Sequence, residues 1–407
     1  MNTKHELRAG AGRAEVRINS LCLPVDGFTA VRDPLHVRAL ILDREERVVI
    51  VSVEITSLFP PTQACFAKRI HEMTGATSEN IWLCLTHSFS GPHIWPADGK
   101  GPKRSEEELA CCKALEEAYL GALEAAVEEA LQSLQPALVG YAAGSCKVNA
   151  SRNVETDEGW WLGTSFTEPC DHSLPVLRID SLSGAPIALL FVYGIRSCVM
   201  SEVLDEAGQK LVSSDLCGAA AGWLEQRLNI PALFLCGACG DQEPAQKGSM
   251  EVLVSQSEAL GSAVLALWNG ISERGVVGLQ SSSCDYTCPT KKMNRDLKAL
   301  RPTRNLSLEP DGHKTLRAYA LRLGDFHLVG VQPEIDGVTA VEIAQAFPAE
   351  TVAVAVMVNG NEKCMPEREG YEKVKYQSLN SPFMPGSAEI LRDKVIELIY
   401  TMKEECQ

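Results

Sequence analysis

The run RVVIVSVEI, Arg47–Ile55, is apolar and largely β-branched until it reaches the carboxylate of Glu54. A strand with one face in water alternates; a run without alternation marks a strand covered on both faces. The same pattern recurs in Asn80–Thr86 (NIWLCLT), Ile187–Tyr193 (IALLFVY), Pro231–Cys236 (PALFLC), Phe326–Val331 (FHLVGV) and Thr351–Val358 (TVAVAVMV). Between these runs lie helical patterns. Ser105–Leu134 opens on Ser-Glu-Glu-Glu, a capping-box signal, and stops before Pro136. Leu211–Leu228 and Ala388–Lys403 carry the same periodicity. Strands alternating with helices predict an α/β chain, a mixed β-sheet core flanked by helices. No linker, charge block or short repeat divides the sequence, so a single domain over residues 1–407 is expected, without a separate C-terminal domain.

The composition, 45% hydrophobic and 22% charged, is that of an ordinary globule. The net charge of −15, from 53 acidic against 38 basic side chains, argues against nucleic acid and anionic membranes, both of which reward basic patches. A small molecule is the expected partner. Met1–Asn19 holds no apolar run of signal-peptide length, and no later stretch reads as a bilayer span. The fifteen cysteines are odd in number and lack a framework spacing, so reduced thiols and a cytoplasmic location are expected.

Chemistry concentrates where strands end. Five runs end on or just before ionisable residues, Glu54, His87, Arg196, Asp241 and Glu334, and in open α/β sheets the ligand crevice lies beyond the carboxyl ends of the strands. His87 opens a turn, His-Ser-Phe-Ser-Gly-Pro-His93, where imidazole suits a base or a metal ligand; a turn histidine bonded to backbone is the plainer alternative. Cys236-Gly-Ala-Cys-Gly-Asp-Gln-Glu-Pro244 offers backbone amides for an oxyanion, with Asp241 and Glu243 as acid, base or orienting groups. Its Cys236 and Cys239 lack the second pair of a cysteine zinc site and read best as core thiols. Glu334 follows a buried strand and needs a partner or a metal. Arg152, ahead of Trp160 and Trp161, suits a carboxylate or phosphate.

Taken in order, these segments resemble the catalytic domain of neutral ceramidases and their shorter bacterial relatives. Arg8–Val16 (RAGAGRAEV), Arg32–Leu42 (RDPLHVRALIL) and Val48–Glu54 match the family's opening. Thr86–Pro92 is similar to its Thr-His-Thr-His-Ser-Gly-Pro, Ser214-Asp215-Leu216 to its Ser-x-Asp-Tyr-Pro-Gly, and Gly240–Pro244 to its Gly-Asp-x-x-Pro; Tyr371-Glu372 is similar to its late Tyr-Glu pair. The resemblance implies an amidase whose zinc, held by two histidines, a glutamate and a tyrosine, activates water. It places His87 and Glu334 among the zinc ligands and Arg152 near the substrate. Three positions depart from the pattern: Arg196 stands where the second zinc histidine belongs, Phe89 replaces an assisting histidine, and Asn359–Pro366 offers no tyrosine.

Arginine keeps its proton and offers no lone pair to a metal. Two outcomes are open. Cys198 and Cys364 could complete a His/Glu/Cys/Cys zinc site; alternatively the metal is gone and Arg196 supplies a fixed charge for a carboxylate or oxyanion. Repulsion between arginine and a dication favours the second. The expected function is hydrolysis, transfer or cyclisation at the amide C–N or related acyl bond of a small, polar, anionic metabolite. The expected residues are His87, Arg196, Asp241 and Glu334 for catalysis, and Arg152, His93, Glu243, Tyr371 and Cys239 around the substrate. Two alternatives are a catalytically inactive relative that binds a metabolite or partner protein, and a thiol enzyme using Cys239 or Cys198.

Overall fold

The computed structural model describes residues 6–96, 103–293 and 306–404. Its larger sheet has eight strands in the order Ala232–Cys236, Pro186–Tyr193, Ser173–Ser181, Gln135–Ser145, Arg8–Val16, Leu35–Asp43, Arg47–Val53 and Ile81–Leu85. The outermost pair at each edge runs parallel and the inner pairs antiparallel, which makes the sheet mixed. A second sheet of four strands runs Leu279–Lys291, Pro310–Leu323, Phe326–Val331 and Thr351–Ala355.

The apolar runs are covered on both faces, as their lack of alternation predicts, but the two covers differ. On the outer face of the large sheet, Val37, Val49, Val51 and Val53 pack against helices Pro60–Thr74, Glu106–Gln132 and Asp215–Leu228. On its inner face Leu40, Leu42, Ile50 and Leu233 meet Leu321, Leu328 and Ala353 of the small sheet. The Trp82 and Tyr319 rings, 5.7 Å apart, bridge this inner layer. Helix Ser387–Glu404 closes the far side of the small sheet. The mixed-sheet core flanked by helices is thus built as two face-to-face sheets between helical layers.

The large sheet curls until its edges approach. Ser52 Oγ donates to the carbonyl of Phe234 at 2.7 Å. The chain after Thr351–Ala355 then enters between the two edges: Val356 N–H donates to Cys236 O at 2.8 Å and Asn359 N–H to Leu83 O at 3.0 Å. That seam brings the ends of strands distant in sequence to one place.

Local signals agree with the structure where they are strongest. Ser105 and Glu108 form the capping box expected at the start of helix Glu106–Gln132. The helix expected from Leu211 begins only at Asp215, because Lys210–Val212 is a short strand beside Phe28–Val31. Helix Met250–Gly270, unmarked by the sequence patterns above, is long and apolar enough to cross a bilayer, with a mean hydropathy of 1.2. Its Leu260, Val264 and Trp268 lie in the outer core.

Candidate active site

Strand Ile81–Leu85, buried throughout, delivers His87 into a left-handed turn at φ 54°. Such a conformation is costly for a side chain with a Cβ and persists where surrounding contacts enforce it. Those contacts are visible. Ser197 N–H donates to His87 O at 3.3 Å and Phe89 N–H to Ser197 O at 2.8 Å, lacing this turn to the loop after strand Pro186–Tyr193. Asp215, fully buried, ties the same loops. It accepts from Val199 N–H and Met200 N–H, both at 2.9 Å, and from the Ser90 hydroxyl. Asp215 had no expected role beyond its motif; its signal was an acid following two serines at a helix start.

The His87 ring is oriented by the Thr56 carbonyl, 2.9 Å from Nδ1. A carbonyl only accepts, so Nδ1 carries the proton and Nε2 is left for other work. Nε2 lies 3.3 Å from Glu334 Oε2, and neither atom has a hydrogen-bond partner although both are buried. Glu334 begins the short strand Glu334–Ile335, pairing in parallel with Cys364–Met365. The third donor is Cys239, expected from the sequence near the substrate: fully buried, it points its Sγ to the same spot. The sulfur, a His87 ring nitrogen and a Glu334 oxygen all lie within 4.8 Å of one another. Gly194 makes the approach possible, since a Cβ there would sit 2.5 Å from the carbonyl of Ala238.

Arg196 covers this group. Its guanidinium stacks 4.5 Å over the Phe89 ring, which meets the His87 ring edge-on, and Nη2 is 3.8 Å from Glu334 Oε2. Burial by itself would raise the Glu334 carboxyl, but His87 and Arg196 outweigh it and hold the group at about 2. Burial likewise opposes the Arg196 charge, and Glu334 more than restores it. In front of Arg196 lies a cavity of about 350 Å³, lined among others by Thr56, Phe89, His93, Arg152, Arg196 and Glu243. Arg152 stacks 4.9 Å over Tyr376, leaving buried Nε and Nη1 without partners; Nε of Arg196 is also unpartnered. Two guanidinium groups thus line the cavity, each with at least one buried nitrogen that has no partner.

The remaining candidates fall into three places. His93 and Glu243 line the cavity with their own partners: His93 Nδ1 is 3.0 Å from Asp26 Oδ2, and Glu243 pairs with Lys247 at 2.8 Å. Asp26 also holds Trp95 Nε1 at 2.9 Å and Arg104 at 2.7 Å, a cluster the sequence did not mark. Cys198 lines the cavity too, outside the three-donor group; burial, then Asp215, pushes its thiol up to about 12. Cys364 is the strand partner of Glu334, but its sulfur is engaged by Asn380 at 3.7 Å. Asp241 lies beside the site rather than in the cavity lining. It accepts from Gly337 N–H at 2.9 Å, and burial, with Glu367 adding, pushes its carboxyl up to about 7. Tyr371 spends its hydroxyl on Phe383 O at 2.8 Å and Ser381, away from the cavity. Glu54, the fifth strand-end residue, is committed to Arg38 at 2.5 Å.

This arrangement can be set beside known structures. A ceramidase complexed with C2 matches 98% of this chain and 76% of its own, with a TM-score of 0.76 at 15% identity. The neutral ceramidase from Pseudomonas aeruginosa matches 98% of this chain and 75% of its own, with a TM-score of 0.77 at 16% identity. The fold is ceramidase-like. No protein-family model matches the chain, and no curated protein does. Within this ceramidase-like fold, the group around His87 sits where strands of both sheets end. The zinc that the sequence resemblance implies can be tested on these atoms. Two buried lone-pair donors without partners and a thiol beside them fit a divalent ion, whereas Arg196 offers it no lone pair.

Proposed function

We propose that the chain is an amide hydrolase acting on the C–N bond of a small anionic acyl compound. One observation carries this reading: the paired lone-pair donors of His87 and Glu334 lie behind Arg196, which lines the cavity together with Arg152. The cavity, about 350 Å³, suits a compact metabolite. Arg152, which lines the cavity, binds the carboxylate of the substrate. Arg196, fixed on Phe89, faces the carbonyl oxygen and neutralises the charge that develops there on attack. Where no metal ion occupies them, His87 Nε2 and Glu334 hold the attacking water and accept its proton. A zinc ion bound there supplies Lewis acidity and a lowered pKa for water. The solved neighbours named ceramidase support amide chemistry as the reaction class.

The test is a panel of N-acyl amino acids and their neutral amide analogues. His87→Ala should lower kcat by at least ~100-fold with an unchanged circular dichroism spectrum. Arg152→Met should raise KM for the carboxylate-bearing substrate more than for its neutral analogue. A fully active His87→Ala variant removes the assignment.

A further inference from the structure

We propose that Cys239 is the third protein ligand of a divalent metal centre formed with His87 and Glu334, so that a thiolate balances the arginine that entered the site. The reading rests on the proposed active site and assigns its cofactor. Neither Cys198 nor Cys364, the cysteines nearest the lost ligand positions in sequence, belongs to the group; Cys239 does.

The first argument is the contact between His87 and Glu334. Thr56 O fixes the proton on Nδ1, so in the neutral ring Nε2 presents a lone pair to a carboxylate oxygen 3.3 Å away. Two acceptors facing each other in a buried site repel unless something positive lies between them, a proton on Nε2 or a metal ion. Two ligands 2.0–2.1 Å from a tetrahedral zinc lie about 3.3 Å apart, the spacing expected of adjacent ligands. The Thr56 carbonyl is the outer partner that metal-bound histidines usually have.

The second argument is charge. A dication with neutral imidazoles, a neutral phenol and one carboxylate carries a net charge of one. Arg196 in place of an imidazole would add a further positive charge, 3.8 Å from Glu334 Oε2. A thiolate at Cys239 removes it, and the net charge returns to one. Cys239 releases its thiol proton to solvent as the sulfur takes the ion. Cys236 Sγ, 3.4 Å from Cys239 Sγ, is placed to donate its S–H to that sulfur. Three protein ligands leave a fourth position, as in catalytic zinc sites.

The experiment uses the full chain purified anaerobically and loaded with zinc. X-ray absorption at the zinc edge should show one sulfur at about 2.3 Å beside lighter ligands at about 2.0–2.1 Å. A stoichiometric zinc site without sulfur overturns the proposal. After exchange for cobalt(II), the wild type, Cys198→Ser and Cys364→Ser should show a thiolate-to-cobalt charge-transfer band, and Cys239→Ser should not. A band surviving in folded Cys239→Ser also overturns it. Failure of the wild type to bind zinc or cobalt sinks this proposal alone, since amide turnover is measured separately. A sulfur-ligated metal with no amide turnover sinks the proposed reaction alone.

Discussion

Lys291 ends the strand Leu279–Lys291 with its residue 1% exposed and Nζ without a partner among the described residues. Burial pushes its ammonium down to about 8, below the value near 10.4 of an exposed lysine. The folded state thus releases this proton first. Stability attributable to Lys291 is lost as pH falls from about 10.4 through about 8, and is constant below that. Lys291→Met should therefore stabilise the protein at pH 7 by roughly 2 kcal/mol and abolish the gain in stability between pH 8 and 10. Urea unfolding at the two pH values checks both; a less stable variant at pH 7 refutes the account. Single residues also show where a sequence is readable. His87 and Glu334 stand out because an ionisable group after a buried strand needs a partner. Glu54 gives the same signal for another reason, as its partner Arg38 hides inside the apolar strand Leu35–Asp43. Cys239 was expected near the substrate but not beside Glu334, because nothing in its own segment reveals that Glu334, far along the chain, folds against it.

Strand Arg8–Val16 owes its place to two small residues. A Cβ on Gly12 would lie 2.2 Å from the Ala126 carbonyl, and one on Gly10 2.1 Å from the Ala130 carbonyl. Both clashes are with helix Glu106–Gln132. A Cβ on Gly121, in the same helix, would meet nothing within 4 Å. The two kinds of glycine should respond in opposite directions. Gly12→Ala should cost about 1–3 kcal/mol by forcing the helix off the strand, and Gly121→Ala should gain about 0.5–1 kcal/mol through helix propensity. Thermal unfolding of both variants tests this, and equal signs would contradict it. Elements with strong periodicity or a cap, such as helix Glu106–Gln132, were legible. The long strands Leu279–Lys291 and Pro310–Leu323 were not. Residues 310–315 are exposed and most of Leu279–Lys291 is only partly buried, so no continuous apolar run marks either strand.

Across the whole molecule, the large sheet and its helical layer are tied by a buried ion network. Arg38 Nε meets Glu225 Oε1 at 2.7 Å and Arg38 Nη1 meets Glu54 Oε1 at 2.5 Å. Arg13 adds a contact to Glu225 at 2.6 Å. Burial would raise both carboxyls, but Arg38 outweighs it and holds them below the usual range. Their contribution is present above the ordinary glutamate pKa and is lost as pH falls through the lowered values. Glu225→Ala should cost about 3–5 kcal/mol by leaving the buried Arg38 guanidinium with Glu54 alone. Chemical denaturation at neutral pH tests it, and a cost below ~1 kcal/mol would contradict it. The fold class was legible because covered strands leave a continuous signature. The second sheet as the inner cover was not, because helices and sheets hide a strand equally well.

The seam between the two sheets also sets a schedule. His87, Arg196 and Cys239 leave the ribosome well before Glu334, and strand Thr351–Ala355 with its continuation, which inserts between the edges of the large sheet, follows later still. A nascent chain can assemble the large sheet first, yet it holds an incomplete set of reactive groups until its final segments arrive. On the proposed hydrolase reading, competence is switched on once, near the end of synthesis, and a chain cut short before Glu334 lacks one of the proposed groups.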